Sequence, residues 1–540
     1  MSYTSFGFLI FVCATMLVYF LLPNKKYQWI ILLLASYVFY LFAGYRYVGF
    51  LILTTLTTYF AALFIDLALK KQKKVLKEHK SLWDKEQKKA FKAKNKAKMR
   101  LVLLGTVVLN LGILAFLKYY NFLAGNLNNM LHVAGLTFSV PALKLLLPLG
   151  ISFYTFQSVG YVVDVYNEKI EAERNPARVA LFLSFFPQII QGPISFYDQL
   201  AHQLYEPHRF DFTRFKHGCE LILWGLFKKM VIADRAFIAI AAVLDDYSAF
   251  SGTALTFTVL LYALQLYTDF SGGIDISRGV AQIFGIDLTL NFKRPYFATT
   301  INGYWRRWHI SLGAWMKEYV FYPLALSKSS VKLSKKLAAS KFGSSKYGSH
   351  VAKVLPSSIA SLVVFFLVGV WHGANWKYVA FGIWNGGIIM LSTLLEPLFA
   401  QITAKLHIPV KSFGFRLFQI LRTFAVVLVG YVFDVAPNFS ASINTFRKIL
   451  CDQNFARGLE QINTLGLNIV DYISLLLCTG FLLCISIMQE RNSHTSIRVM
   501  LDKKPFIWRY AMLFVGILYL LIFGVYGPGY DPAEFVYMQF

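Results

Sequence analysis

Apolar residues run along most of the chain in stretches long enough to cross a bilayer, separated by short polar or basic segments. At about 1.5 Å rise per residue, roughly 20 apolar residues span a hydrocarbon core about 30 Å thick. The pattern predicts spans near residues 5–22, 27–43, 47–69, 101–119, 145–166, 218–244, 252–270, 358–371, 377–399, 416–434, 468–488 and 509–526. The apolar run 181–197 differs, because it holds Pro187, Gln188, Gln191, Gly192 and Pro193. Prolines and amides inside such a run favour a re-entrant or broken helix that lines protein rather than lipid. Between 270 and 357 no clean span occurs, and the alternation of aromatic and polar residues there suits interfacial or re-entrant helices. The expectation is an all-α polytopic membrane protein with about 11–12 spanning segments, in a single domain over residues 1–540.

Composition agrees with that reading: 56% of residues are hydrophobic, 17% aromatic and only 15% charged. The formal net charge of +26 raises the question of nucleic acid, and its distribution answers it. Residues 70–100 hold 14 Lys/Arg against 3 Asp/Glu, and residues 327–355 hold 7 Lys/Arg and no acid, so these two loops carry 18 of the 26 charges. Basic loops between spans are the signature of the cytoplasmic side and suit an anionic lipid surface. No nucleic-acid-reading motif accompanies them. Three spans before the first basic loop place the N-terminus outside a cell membrane. That loop is compatible with a helix along the membrane surface or with a solvated topology signal. The N-terminus lacks a basic n-region and a small-residue cleavage site, so its first apolar segment is expected to be retained. The five cysteines, Cys13, Cys219, Cys451, Cys478 and Cys484, show no C-x-x-C spacing, and no histidine cluster has metal-ligand spacing. No metal and no bound cofactor are expected.

Two of the ten histidines lie in dense aromatic, membrane-grade sequence. The other eight, His79, His132, His202, His208, His217, His350, His407 and His494, lie in loops, at segment ends or in polar surroundings. His372 closes the uncharged run 359–370 within Trp371-His372-Gly373-Ala374-Asn375-Trp376. Counted from the basic side, it lies roughly 20 Å into a core about 30 Å thick. A polar group at that depth costs several kcal/mol unless it is satisfied, so it is a functional candidate by default. The bland alternative is a satisfied structural histidine beside aromatic anchors. His309 stands in Tyr304-Trp305-Arg306-Arg307-Trp308-His309-Ile310-Ser311-Leu312. Helical spacing predicts Trp305, Trp308, Leu312 and Trp315 on one stripe, with His309 one turn beyond Trp305. Arg306 and Arg307 either bind phosphates of a nucleotide-like donor or anchor the chain to lipid headgroups. Asp269 ends a predicted span, where it caps a helix or meets a cation. No G-x-S-x-G elbow, P-loop or dinucleotide-binding fingerprint occurs.

Taken in order, these motifs resemble the membrane-bound O-acyltransferase family, and within it the bacterial branch that acetylates alginate and other exopolysaccharides. The resemblance rests on Pro148-Leu149-Gly150-Ile151-Ser152-Phe153-Tyr154-Thr155-Phe156-Gln157, Phe185-Phe186-Pro187-Gln188 with Gly192-Pro193, and Trp224-Gly225-Leu226-Phe227-Lys228-Lys229. It continues through Tyr267-Thr268-Asp269-Phe270-Ser271-Gly272, Asn291-Phe292 with Arg294-Pro295-Tyr296, the run Trp305–Leu312, Trp371-His372-Gly373-Ala374, and the ending Glu534–Phe540. The chain departs from the family pattern at Trp384-Asn385-Gly386, where a second histidine is often found. It departs again at Tyr431 and Asp434-Val435, where the family motif reads Trp and Phe-Arg, and in the long Lys/Ser-rich loop between His309 and His372.

The resemblance implies a helical bundle around a central tunnel, entered from the cytosol by an acyl-CoA, with acetyl-CoA as co-substrate. It implies His372 as the catalytic histidine and His309 as its partner. Trp305, Arg306, Arg307, Trp308, Ser311, Asp269, Asn291, Trp371 and Asn375 are the donor-binding candidates. It also implies an extracytoplasmic, hydrolase-like acetyltransferase as partner and a polysaccharide acceptor, reached directly or through that partner. The leading expectation is O-acetylation of an exopolysaccharide or cell-wall polymer. The runner-up is D-alanyl transfer to teichoic acid from a carrier-protein thioester, which the basic loops also suit. A transporter or channel with histidine proton relays fits the hydropathy equally well, and the ordered motifs weigh against it.

Overall fold

The computed structural model describes residues 2–492 and 496–526, so His494 and the ending Glu534–Phe540 lie outside the described residues. The described chain is helical, with no strand. It opens with α1 (Phe6–Leu21), α2 (Gln28–Leu41), α3 (Tyr45–Glu78) and α4 (Lys85–Val133), followed by α5 (Ile151–Tyr166), α6 (Pro176–Ser184), α7 (Phe186–Ile189) and α8 (Tyr197–Tyr205). Then come α9 (Phe212–Leu226), a π-helical turn over Phe227–Ala233, α10 (Asp234–Asp245) and α11 (Gly252–Ile283). Four short helices follow: α12 (Ile301–Trp305), α13 (Ile310–Met316), α14 (Tyr322–Ala325) and α15 (Lys328–Ala338). The rest comprises α16 (Lys346–His372), α17 (Trp376–Leu394), α18 (Glu396–Lys405), α19 (Phe413–Val435), α20 (Phe439–Cys451), α21 (Phe455–Ile462), α22 (Ile469–Arg491), α23 (Ile497–Asp502) and α24 (Phe506–Phe523). Many of them start on a side-chain cap from Ser, Asn or Asp, which satisfies an N–H that the helix itself cannot.

Six of these helices, α3, α4, α16, α19, α22 and α24, are long and apolar enough to cross a membrane. The count is seven if α17 and α18, bent by 58°, form one broken span. Of the other predicted spans, those in α1, α2 and α5 are shorter, 218–244 is interrupted by the π turn, and 252–270 falls in the 32-residue α11, which is less apolar than the six. The described chain groups into two compact units, one reaching to Cys219 with Ser277–Thr289 added, the other made of Glu220–Ile276 and the described residues from Leu290 on.

In the first unit α3, α4 and α5 pack on one another. The basic segment 70–100 does not form a separate helix on the surface. It is the continuation of α3 and α4, which turn at Lys80–Asp84, where Asp84 makes a capping box with Gln87. At 49 residues, α4 is about 73 Å long, well beyond a bilayer with its headgroups. It also runs past the predicted span 101–119, on to Val133. The run 181–197 is broken, as its prolines require: α6 ends at Ser184 and a single turn, α7, follows. The carbonyl of Pro187 accepts hydrogen bonds from Tyr3 Oη at 2.8 Å and from Ser277 Oγ. Gly150, at φ +67°, seats this break, since a β-carbon there would lie 2.1 Å from the Ile189 carbonyl oxygen.

In the second unit α16 and α17 form an extensively packed antiparallel pair. Glycines make that approach possible. A β-carbon on Gly369 would meet the Tyr378 carbonyl at 2.3 Å, and one on Gly382 would meet the Phe365 carbonyl at 2.4 Å.

Candidate active site

Five pieces of the second unit build the site: the end of α16, the start of α17, the middle of α11, the segment Asn291–Lys293, and the turn between α12 and α13. That turn overturns the expected stripe. The helix stops at Trp305 and restarts at Ile310, with His309 in the left-handed conformation at φ +47°. Trp305 therefore points to α16 and α17, against Phe365 and Phe381, and its indole N–H donates to Asn385 Oδ1 at 3.2 Å. Trp308 instead packs with Phe292 and Tyr304, at ring distances of 5.0 and 5.7 Å.

His309 is buried and is held by what surrounds the turn. Phe270 of α11 meets its ring edge-to-face at 4.8 Å. Backbone pairing fixes the turn itself: Ile310 N–H donates to the Asn291 carbonyl, and Lys293 N–H to that of Arg307. The Asn291 side-chain oxygen accepts from the N–H and the hydroxyl of Ser311, both at 2.9 Å, and stands 3.3 Å from His309 Nδ1. An oxygen already accepting faces Nδ1 as an acceptor, so Nδ1 carries the hydrogen and Nε2 keeps the lone pair. Burial first, and the neighbouring His372 second, push the His309 imidazole well below its usual range. It is neutral near pH 7, as a proton acceptor must be.

His372, also buried, is the last residue of α16. Trp371 joins the two histidines, its ring 6.0 Å from that of His309 and 5.3 Å from that of His372. Phe381 and Tyr378 of α17 close the other side of His372, at 5.3 and 6.2 Å. The chain reverses tightly after His372 because a β-carbon on Gly373 would run into the Tyr378 ring at 2.3 Å. Asn375 then caps α17 through Lys377 N–H.

The structure thus gathers His309, His372, Trp371, Asn291, Ser311 and Trp308 around one aromatic cluster, with Trp305 adjoining it through Phe381. The other candidates lie elsewhere. Arg306 is exposed, and Arg307 binds Glu490 through both terminal nitrogens, at 3.2 and 3.1 Å. Asp269 does not end a helix, since α11 runs on to Ile283, and it meets a cation instead. Lys229 Nζ lies 2.6 Å from its carboxylate and 2.8 Å from that of Asp234. The adjacent Lys228 bonds Asp275 at 2.7 Å and Ser271 at 2.8 Å. In an α-helix successive side chains point about 100° apart. The π turn widens the helix so that both lysines reach acids of α11.

Sequence reading missed Lys229, Glu490, Asn385 and Lys377, whose ammonium donates to the carbonyls of Asp434 and Ala436 at 2.8 and 2.7 Å. Lysines inside the run 218–244, a lysine beside the Trp-His-Gly motif, and an acid closing the run 468–488 were the signals available. The departures at 431 and 434 are built in. The Tyr431 hydroxyl bonds that of Tyr304 at 2.7 Å, and Tyr262 donates to Asp434 at 2.8 Å.

A helical membrane protein with two imidazoles in one buried aromatic cluster has the makings of a group-transfer enzyme with a sequestered base. Comparison with known proteins is specific. Residues 169–340 match the model of the MBOAT, membrane-bound O-acyltransferase family. The "Probable alginate O-acetylase AlgI" of Pseudomonas syringae pv. tomato is 30% identical over 81% of this chain and 73% of its own length. The "Peptidoglycan O-acetyltransferase" of Helicobacter pylori is 29% identical, over 78% and 74%. The "Teichoic acid D-alanyltransferase" of Bacillus subtilis is 26% identical, over 46% and 59%. The chain belongs to the membrane-bound O-acyltransferase family and is a multi-pass membrane O-acyltransferase.

Proposed function

We propose that this enzyme takes an acetyl group from acetyl-CoA on the cytosolic side and delivers it across the cell membrane for O-acetylation of an exopolysaccharide or cell-wall polymer. The observation that carries the reading is the pairing of His309 and His372 around Trp371 in a buried site. A neutral imidazole accepts the proton of an acceptor hydroxyl, the oxygen attacks the thioester carbonyl, and the CoA thiolate leaves and is reprotonated. His372 is assigned the base, and His309, whose Nε2 lone pair is oriented by Asn291, the second catalytic position. Trp305, Trp308 and Trp371 would wall the donor channel, with Ser311 and Asn291 setting its polar edge. The names of the alginate and peptidoglycan O-acetyl-transferring relatives support this acceptor class. By the positive-inside asymmetry, 70–100 and 327–355 face the cytosol and the N-terminus lies outside. An extracytoplasmic hydrolase-like partner would complete transfer to sugar. The similarity to D-alanyltransferases favours a second reading, D-alanyl transfer from a carrier-protein thioester.

Purified protein in nanodiscs, given labelled acetyl-CoA with and without an extracytoplasmic partner, tests the choice. Label should appear on acceptor or partner only with the wild-type chain. Transfer from a D-alanyl carrier thioester, with none from acetyl-CoA, would select the second reading.

A further inference from the structure

At the end of the second unit that holds the start of α19 and the end of α22, guanidinium groups outnumber their counter-charge. Glu490, in the last turn of α22, accepts from Arg294 Nε at 2.7 Å and from both terminal nitrogens of Arg307, and lies 4.0 Å from Arg416. Arg307 and Arg416 also line a cleft of about 400 Å³ together with Lys411, Thr299 and Gln419, and no carboxylate is among its lining residues. Three guanidinium groups therefore share one anion, and Lys411 adds a further positive charge to the cleft wall. The first turn of α19 opens on the same cleft, and the positive end of its dipole adds to the potential there. Guanidinium forks match the oxygens of a phosphate, and a concave wall focuses the field on whatever enters.

We infer that this cleft binds the phosphate group of a phosphate-bearing ligand through Arg307, Lys411 and Arg416, with Glu490 as the resident anion that competes for two of those arginines. Two sources supply that chemistry, the phosphates of a thioester donor such as CoA and the headgroup of an anionic phospholipid. The donor source rests on the function proposed above, whereas the site itself does not. Arg416 is more than half exposed and only grazes Glu490, so it can turn to an incoming phosphate at little cost. Arg307 is held bidentately, so its share grows only as Glu490 yields.

The test measures binding without turnover, so a failed acyl-transfer assay leaves it readable. Full-length protein in phosphatidylcholine nanodiscs is titrated with CoA, and its melting temperature is compared with and without phosphatidylglycerol. The pair Lys411→Ala with Arg416→Ala should weaken the ligand about tenfold or more, the worth of one or two charge-assisted contacts. Weakened CoA binding identifies the donor as the source. Loss of the phosphatidylglycerol-dependent melting shift, with CoA binding intact, identifies the headgroup. Glu490→Gln should tighten the same ligand. Arg416→Glu, at an exposed position where folding is not at risk, should abolish its binding at low salt. If the double variant and Arg416→Glu change neither CoA affinity nor the lipid-dependent shift, the site does not exist.

Discussion

Asn291 holds the side chain of His309, 18 residues further along the chain, through a single oxygen 3.3 Å from Nδ1. That oxygen also takes both hydrogens offered by Ser311, so its direction is fixed and with it the tautomer of the imidazole. Asn291→Ala should therefore cut kcat by up to about tenfold, the worth of one hydrogen bond. Asn291→Asp, which keeps the acceptor, should retain more activity. Equal losses in the two variants would mean that the contact is packing alone.

His372→Ala should lower acyl transfer by about 10²–10⁴-fold, the usual worth of a positioned base. Melting temperature should stay close to wild type. Turnover within a few fold of wild type would return this residue to a structural role.

The pH dependence of stability follows from His309. Its folded-state affinity for protons lies below that of the unfolded chain, whose imidazoles titrate near pH ~6.5. Above that pH both states are neutral and no penalty exists. As pH falls below it, the unfolded state takes up a proton that the folded state refuses, so stability drops. Melting curves across this range should be flatter for His309→Gln than for wild type, and identical slopes would refute the assignment.

Lys229 is 1% exposed between two acids, so replacing it removes a charge that offsets both. Lys229→Met should cost about 3–5 kcal/mol, as expected for a broken buried pair. Adding Asp269→Asn should recover part of the loss, measured as melting temperature in detergent. A double variant no better than the single one would show that the pair is not coupled.

Cysteines placed in 70–100 or 327–355 should react with impermeant reagents only from the cytosolic side. Labelling from outside would reverse the orientation and the route proposed for the donor.

Much of the fold was legible because a bilayer demands long apolar runs, and Pro187 with Gly192 announced the break in one of them. His309 and His372 were legible as candidates because each stands alone in aromatic sequence. What joins them was not. The break at Arg306–His309 follows from pairing with Asn291 and Lys293, which overrides the helical spacing of the tryptophans. Glu490 lies 183 residues from Arg307, and no local pattern connects them. Asp269 read as a helix end because polar residues follow it, yet α11 continues since Lys229 supplies the missing counter-charge.

The π turn at Phe227–Ala233 has a further consequence, for the kinds of change this gene can absorb. It amounts to one surplus residue in a helix, and the adjacent ammonium groups of Lys228 and Lys229 both depend on it. A single-residue deletion there would regularise the helix and set the two lysines about 100° apart, so that both could no longer reach the acids of α11. The hairpin formed by α3 and α4 has the opposite character, because the turns next to Lys80–Asp84 are largely exposed and exceed the length a bilayer needs. Length variation among descendants of this sequence should accumulate around Lys80 and be absent between 227 and 233.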